Sequence, residues 1–303
     1  MDISILIATY KRPFELSRTL EALTQIDHTG LTWQIILVDN ANDPQTFEVF
    51  KKYQNLLPIK YAICSEQGKS RALNVGLPLC EGDLIILTDD DVLPEKSWLK
   101  ETLEGAKRWP NHSIWGGKVI PDNINNIPQE YRQLKHFILD YAVADWKLAE
   151  GPYSPYEVFG PNFAIRKNIL KENIRFNPEV GVGAKFPTGV ETFFLLDLHK
   201  KGYEPVYLPK SIVYHQIRPE QLTLKWLYER SFKGGRTDVY ENQKLKTLKL
   251  FGIPRYLIKK LFLNLIQCLK SSISFNKIDK IETTREYYRT RGQIYQYWKI
   301  RND

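Results

Sequence analysis

Residues 83–91 read Asp-Leu-Ile-Ile-Leu-Thr-Asp-Asp-Asp, an apolar run that ends in three consecutive carboxylates. The run predicts a buried strand over residues 83–88, so that Asp89, Asp90 and Asp91 lie where this strand reaches the surface. Adjacent carboxylates repel each other, and the triplet is unfavourable unless a positive group lies against it. A divalent cation with oxygen ligands, often shared with a phosphate, is the simplest such group. A solvated acidic turn is the alternative, and the stretch alone does not separate the two.

The segments around this stretch alternate between strand-like and helix-like patterns. Earlier strands are predicted at residues 3–8, 34–38 and 59–64, and the intervening helices at 13–24, 46–53 and 70–79. Such alternation is typical of right-handed βαβ units and a mostly parallel sheet. The predicted fold class is therefore α/β, a Rossmann-like sheet flanked by helices, with a basic helical extension at the C-terminus.

Polar residues follow the first, second and fourth of these strands, as residues 9–12, 39–40 and 89–91. In a parallel sheet, ligands bind outside the carboxyl ends of the strands, so these side chains are expected to share one crevice. That position favours the metal site for the carboxylate triplet. Asp91 is predicted to be the direct metal ligand and Asp89 to contact ribose or metal. Asp39 either accepts hydrogen bonds from a nucleobase or ribose, or is an ordinary turn residue.

Residues 68–74 place Lys69 and Arg71 at the start of a predicted helix. The N-terminus of a helix with two adjacent cations suits a diphosphate. The GxxxxGK[ST] frame of a P-loop is absent, and a plain basic helix start is the alternative.

Two later residues are candidates for chemistry. Glu191 opens a helix predicted over residues 190–201, where a carboxylate either caps the helix or acts as a general base. His215 ends a short strand predicted at residues 212–215, which follows another at 206–208. Its imidazole either packs at the strand end or serves as a third ligand for a manganese-type ion.

The order of these motifs resembles that of the family 2 glycosyltransferases, which have the GT-A fold. The resemblance covers about residues 1–240 and is carried by segments 5–13, 38–40, 68–76, 81–91, 160–164, 189–192 and 214–215 with 230–236. The segment at 81–91 resembles the strand that bears the family's DxD metal motif. Two positions depart from the family: Val190-Glu191-Thr192 stands where Glu-Asp-Thr is usual, which retains the carboxylate one methylene longer, and Lys11 stands where Asn is frequent.

The resemblance implies a metal-dependent, inverting transfer of a sugar from a nucleoside diphosphate sugar, with UDP favoured, to a hydroxyl acceptor. It implies Glu191 as the catalytic base and Mn²⁺ or Mg²⁺ held by Asp91, Asp89 and His215. The implied acceptor is a glycan or a lipid-linked molecule, in the synthesis of polysaccharide, glycolipid or another cell-surface glycan. The implied nucleotide and donor contacts are Ala8, Thr9, Tyr10, Arg12, Asp39, Asn40, Gly68, Lys69, Arg71, Asn74, Asp89, Asp90, Gly160, Pro161, Asn162, Arg230 and Arg236.

Other functions remain as alternatives. A nucleotidyltransferase shares the phosphate chemistry but releases pyrophosphate, whereas a glycosyltransferase releases a nucleoside diphosphate. A non-catalytic protein that binds nucleotide sugars or glycans would not require both the aspartate triplet and Glu191. Paired carboxylates are also found in glycosidases, but hydrolysis does not require the cations on the phosphate side.

The formal net charge of +8 is concentrated in one part of the 303 residues. Residues 1–219 carry 25 Lys and Arg against 27 Asp and Glu, a net −2, and residues 220–303 carry 18 against 8, a net +10. We therefore predict a nucleotide-sugar-binding catalytic domain over residues 1–219 and a basic, aromatic-rich helical region over 220–303. Concentrated positive charge indicates a polyanionic partner. No groove-reading or RNA-binding motif accompanies this charge, so nucleic acid is not expected.

Residues 255–274 predict an amphipathic helix, with polar residues such as Lys260 and Asn264 on one side and apolar residues such as Phe262 on the other. This helix either packs on the catalytic domain or lies on an anionic membrane surface, with Lys259, Lys260 and Lys270 near the headgroups.

The composition also bears on location. Three dispersed cysteines, without metal-ligand spacing, favour a reduced cytosolic setting. No signal peptide is indicated, and no run of about 18 apolar residues suggests a membrane span. The expected location is cytoplasmic, or peripheral on the inner face of the plasma membrane.

Overall fold

The computed structural model describes residues 1–242 and 247–302. They form two compact units. The first consists of residues 1–122, 141–184 and 190–216, and the second of 123–140, 185–189 and the described part of 217–303. The division into functional regions at residue 219 stays a prediction.

The strands are β1 Ile3–Thr9, β2 Trp33–Asp39, β3 Ile59–Ile63, β4 Leu84–Thr88, β5 Val92–Pro94, β6 Ile114–Pro121, β7 Gly151–Pro152, β8 Phe163–Arg166, β9 Pro205–His215, β10 Lys249–Leu250 and β11 Ile253–Pro254. The α-helices are α1 Pro13–Leu23, α2 Pro44–Tyr53, α3 Lys69–Gly76, α4 Trp98–Arg108, α5 Gln129–Arg132, α6 Phe137–Tyr141, α7 Val190–Lys200, α8 Leu224–Asn242, α9 Arg255–Ser272 and α10 Lys277–Asn302.

In the first unit, the described residues form a nine-stranded sheet in the order β3-β2-β1-β4-β8-β6-β9-β5, with β7 paired to β9. The four strands β3, β2, β1 and β4 run parallel to one another, and β8 lies antiparallel to β4. β1, β2 and β4 are almost wholly buried, as their continuous apolar runs require in a sheet that is covered on both faces. The carboxyl ends of these three strands therefore lie side by side, and the predicted α/β fold with a mostly parallel sheet is confirmed.

Most boundaries lie within two residues of the predicted ones, and two elements differ by more. The predicted strands at 206–208 and 212–215 form one strand, β9, whose pairing with β6 is irregular between Gly117 and Lys118. A bulge accommodates the residues that separate the two apolar runs in the sequence. The predicted helix at 70–79 ends earlier, because α3 is followed by a 3-10 turn, Leu77–Leu79, that contains Pro78.

In the second unit, α8 and α10 pack so closely that their backbones are in contact at two glycines. A β-carbon on Gly235 would collide with the carbonyl of Arg289, and one on Gly292 with the carbonyl of Phe232. The hairpin of β10 and β11 precedes α9 directly. The predicted helix at 255–274 is present as α9. None of the helices among the described residues is both long and apolar enough to cross a bilayer.

Candidate active site

The aspartate triplet lies directly after β4, with its three side chains in different surroundings. Asp90 points into the protein, where its carboxylate accepts hydrogen bonds from Thr9 Oγ1 at 2.7 Å and Arg12 Nη1 at 3.0 Å. Burial raises the pKa of Asp90 to about 6, against the opposing effect of Arg12. Arg12 also donates to Asp91 Oδ2 at 3.1 Å. One cation from the β1–α1 turn therefore holds two of the three carboxylates.

Asp91 also faces His215. His215 Nε2 lies 3.4 Å from Asp91 Oδ1, and its Nδ1 lies 2.9 Å from the carbonyl of Tyr141. The pairing of β5 with β9 sets Val92 opposite His215 and so brings the two side chains together. Burial disfavours the charged imidazolium, but Asp91 outweighs this effect and raises the pKa of His215.

Asp89 is held by Lys69, the first residue of α3. Lys69 Nζ lies 2.6 Å from Asp89 Oδ1 and 2.5 Å from Glu191 Oε1. Burial opposes the charge of Lys69, but Asp89 and Glu191 outweigh burial and raise its pKa. The predicted base at the start of α7 and the predicted phosphate-side cation are therefore direct neighbours.

Residues 160–162 pack against Glu191 and the end of β4. A β-carbon on Gly160 would lie 2.5 Å from Glu191 Cδ, so that only glycine allows the carboxylate its place. Pro161 offers its carbonyl to Thr88 Oγ1 at 2.7 Å. Asn162 is buried, donates to the carbonyls of Lys118 and Ser211, and accepts from Trp98 Nε1. The side-chain amide of Asn162 thus connects α4, β6 and β9 by hydrogen bonds.

The end of β2 is a hydrogen-bonded turn. Asp39 is fully buried and accepts hydrogen bonds from the backbone of Ala41 and Asp43 and from Tyr61 Oη at 2.7 Å. Asn40 donates to the carbonyls of Cys64 and Glu66 and accepts from Gly68 N at 2.7 Å. Both side chains shape the crevice through its loops. Their contact with a nucleotide stays a prediction.

Hydrogen bonds between α3 and residues 174–183 were not predicted from the sequence. Ser70 Oγ donates to the carbonyl of Val180 at 2.6 Å, and Asn74 exchanges two hydrogen bonds with the backbone of Phe176. Lys69 N also donates to the carbonyl of Val182. The sequence feature that could have indicated these contacts is the presence of polar residues on one face of a short helix.

The remaining predicted donor contacts have diverse settings. Ala8 is half-buried on β1, and Tyr10 is exposed in the following turn. Arg71 is half-exposed and pairs with Glu66 at 3.0 Å. Arg230 and Arg236 belong to the second unit, where Arg230 donates to the carbonyl of Leu139 and Arg236 to Gln296 Oε1. The sequence-predicted site residues of β1, β4, α3 and α7 do converge, as the sheet topology requires.

Two side chains of this crevice have the chemistry of ligands for a divalent cation. Asp91 Oδ1 and His215 Nε2 approach each other, and the carbonyl behind His215 Nδ1 orients the ring as in many metal sites. A carboxylate oxygen and an imidazole nitrogen suit Mn²⁺, and a carboxylate suits Mg²⁺. Asp89 is turned to Lys69 instead, and no group of three His, Cys, Asp or Glu side chains converges within residues 1–242 and 247–302. Asp91 and His215 would therefore suit such a cation as two of its ligands.

The sequence profile of "Glycosyl transferase family 2" matches residues 4–177, which is more than half of the chain and extends from β1 to beyond β8. The chain belongs to this family. Its predicted enzyme class, glycosyltransferase, is thereby confirmed, and the DxD assignment of the aspartates stays a prediction.

This glycosyltransferase is similar to a curated protein in sequence and to two solved structures in fold. It is 24% identical over 241 residues to the succinoglycan biosynthesis protein ExoM of Rhizobium meliloti (strain 1021), covering 78% of this chain and 74% of ExoM. The structure of S. aureus TarS 1–349 in complex with UDP aligns with a TM-score of 0.56 and 17% identity, over 100% of this chain and 92% of that one. The mannosyltransferase PcManGT of Pyrobaculum calidifontis, in complex with GDP-Man and Mn²⁺, aligns with a TM-score of 0.64 and 14% identity, over 98% and 87%. The fold of the family 2 enzyme is GT-A, as predicted.

Proposed function

We propose that this glycosyltransferase moves a sugar from a nucleoside diphosphate sugar to a hydroxyl acceptor with inversion at the anomeric carbon. The proposal rests chiefly on the contact of Lys69 with both Asp89 and Glu191. It brings a carboxylate suited to proton abstraction next to a cation suited to a diphosphate, at the carboxyl ends of the parallel strands.

Glu191 takes the proton of the acceptor hydroxyl while the hydroxyl oxygen attacks the anomeric carbon. The new carbon–oxygen bond forms on the face opposite the leaving group, and the electron pair of the breaking bond leaves with the nucleoside diphosphate. For this step Lys69 must release Glu191, and the incoming diphosphate offers Lys69 new oxygen partners of higher charge. Gly160 holds open the space in which Glu191 lies.

We further propose that Asp91 and His215 would hold Mn²⁺ or Mg²⁺, with Asp89 as the third candidate ligand. The cation would supply charge that stabilises the departing diphosphate. Arg12 keeps Asp90 and Asp91 from repelling each other and thereby preserves the pair that faces the cation.

The donor and the acceptor class are proposed from the similar proteins. The UDP complex of TarS supports a UDP-sugar donor, while the GDP-Man complex of PcManGT shows that another base occurs on the same fold. The name of ExoM, a succinoglycan biosynthesis protein, supports a role in polysaccharide or other cell-surface glycan synthesis, and the glycan or lipid-linked acceptor stays a prediction. Cytoplasmic location and the remaining predicted donor contacts stay predictions. Association with a membrane is a separate proposal, because it depends on the C-terminal helices.

The product distinguishes the proposed reaction from its alternatives. The protein would be incubated with UDP-sugars and GDP-sugars, with and without MnCl₂, and nucleoside diphosphate and pyrophosphate measured separately. We expect nucleoside diphosphate release that depends on a divalent cation and on Glu191. Pyrophosphate release would instead identify a nucleotidyltransferase. Donor binding without release of either product, across acceptor mixtures, would identify a non-catalytic binding protein.

A further inference from the structure

Helix α9 of the second unit turns its polar side inward and its apolar side outward. The buried stripe consists of Leu257, Asn264 and Ser271, which are spaced by seven residues and so lie on one face. On the opposite face Phe262 and Leu269 are 64% and 63% exposed. A helix of a globular protein normally has the reverse arrangement.

The inward side of α9 is fixed by polar contacts with α10. Asn264 Nδ2 donates to Thr290 Oγ1 at 2.9 Å and to the carbonyl of Glu286 at 3.1 Å. Ser271 Oγ lies 2.8 Å from Thr283 Oγ1. Rotation of α9 to hide its apolar stripe would break these bonds and bury polar groups without partners, which is costly. The outward direction of the apolar stripe is therefore specified by the side chains on the inward side.

Lys260 departs from its predicted place near lipid headgroups. It lies toward α10, with its Nζ 3.6 Å from Glu286 Oε2. Lys259 and Lys270 are both exposed, and their spacing of eleven residues places them along one edge of the apolar stripe. The outward surface thus combines large apolar side chains with cations at its margin.

The hairpin that precedes α9 presents another apolar group. Phe251 and Gly252 have φ angles of 50° and 82°, so both central residues of the turn lie in the left-handed region. Turns of this kind strongly prefer Asn-Gly. Phe251 is nevertheless 74% exposed at the tip. A bulky aromatic residue that is unfavourable for the turn and that faces solvent has no role in packing the second unit.

The charge of this region indicates what covers it. Residues 242–278 contain eight Lys and Arg and no Asp or Glu. A second copy of the chain would bring the same positive charge against it, which opposes self-association. An anionic lipid surface offers both an apolar layer for the exposed side chains and negative headgroups for the lysines.

We propose that the outward face of α9, made by Ile258, Phe262, Leu265, Leu269 and the hairpin tip Phe251, docks on an anionic membrane surface. Lys259 and Lys270 contact the headgroups, and α9 lies parallel to the membrane plane. The proposal goes beyond the transfer reaction and does not depend on it, because it concerns only the helices of the second unit.

Co-sedimentation of the full chain with vesicles tests the proposal. We expect binding to vesicles of phosphatidylcholine with about 30% phosphatidylglycerol, little binding to phosphatidylcholine alone, and weakening in about 0.5 M NaCl. Phe262→Ser with Leu269→Ser should lower the affinity about tenfold or more. Lys259→Glu with Lys270→Glu should lower it by a similar factor. The matched controls alter exposed residues of the first unit: Leu56→Ser with Leu79→Ser, and Lys51→Glu with Lys107→Glu.

A third variant separates docking from folding. Phe251→Asn gives the turn its preferred residue, so we expect an unchanged or higher melting temperature together with severalfold weaker vesicle binding. Equal binding of all variants, or binding that ignores lipid charge, would overturn the proposal. A dimer in size-exclusion chromatography would also overturn it, if the paired Ser variant is a monomer and the wild type does not bind vesicles. The face would then join two copies of the chain. UDP binding, measured on the same preparations, separates failure of this proposal from failure of the proposed function.

Discussion

Lys69 Nζ lies 2.5 Å from Glu191 Oε1, so that the cation predicted to hold the diphosphate is paired with the carboxylate predicted to take the acceptor proton. The same nitrogen is 2.6 Å from Asp89. The two acidic residues are thus held by one cation. Under the proposed function, donor binding would redirect Lys69 to the diphosphate, and Glu191 would then become available as the base.

Replacing Lys69 tests that link. In Lys69→Met we expect UDP affinity to fall about tenfold, the loss of roughly one charge-assisted hydrogen bond. We also expect Mn²⁺ without nucleotide to raise the melting temperature more than in the wild type, because Lys69 no longer competes for Asp89. Calorimetry and thermal shifts measure the two effects. Lys60→Met is the matched control, since Lys60 pairs with Glu81 on the surface. Unchanged UDP affinity in Lys69→Met would contradict the assignment.

Glu191→Gln separates chemistry from binding. The amide is nearly isosteric but cannot accept the acceptor proton, so we expect transfer to fall by about 10² to 10⁴. UDP binding should persist, because Lys69 and the triplet remain. A transfer assay beside calorimetry of UDP binding provides the check, with Glu104→Gln on the exposed face of α4 as the control. Turnover near the wild-type rate would remove Glu191 from the mechanism.

Asp91 and Asp83 flank the same strand, which makes them a matched pair. Asp91 follows β4 at its carboxyl end, and Asp83 precedes β4 at the other end. Asp91→Ala should abolish the increase in UDP affinity that MnCl₂ produces, whereas Asp83→Ala should retain it. Titration of UDP with MnCl₂ and with EDTA measures the difference. If the affinity of Asp91→Ala still responds to Mn²⁺, Asp91 is not the ligand.

Gly160 and Gly151 provide a comparison of two glycines with different surroundings. A β-carbon on Gly160 meets the Glu191 carboxylate, whereas one on Gly151 meets only Trp109 Cη2 at 4.0 Å. We therefore expect Gly160→Ala to lower kcat about 10²-fold by displacing the base, with UDP affinity changed little. Gly151→Ala should have nearly normal kcat. Equal kcat in both variants would show that Glu191 does not need its observed place.

The sequence predicted the sheet and the convergence of its strand ends, because continuous apolar runs and the position of polar residues after them follow from burial alone. It predicted less of the site. Asp39 and Asn162 remain predicted nucleotide or sugar contacts, and the sequence did not predict their hydrogen bonds with Tyr61 and Trp98, because these partners are distant in sequence and no local pattern reveals such bonds. The sequence also did not predict that α9 packs with its polar side inward. Periodicity identifies two faces of a helix, and the polar partners on α10 decide which face lies inside.

The paired glycines of α8 show the same dependence on distant partners and lead to a last prediction. A β-carbon on Gly235 would collide with the backbone of Arg289, whereas one on Gly234 meets only the Arg289 guanidinium at 4.0 Å. Gly235→Ala should therefore destabilise the protein by about 1–3 kcal/mol through forced separation of α8 from α10. Gly234→Ala should stabilise it by up to about 1 kcal/mol, since alanine favours the helix. Urea unfolding of the two variants measures the difference, and a loss of stability in Gly234→Ala as large as that in Gly235→Ala would contradict the close packing of these helices.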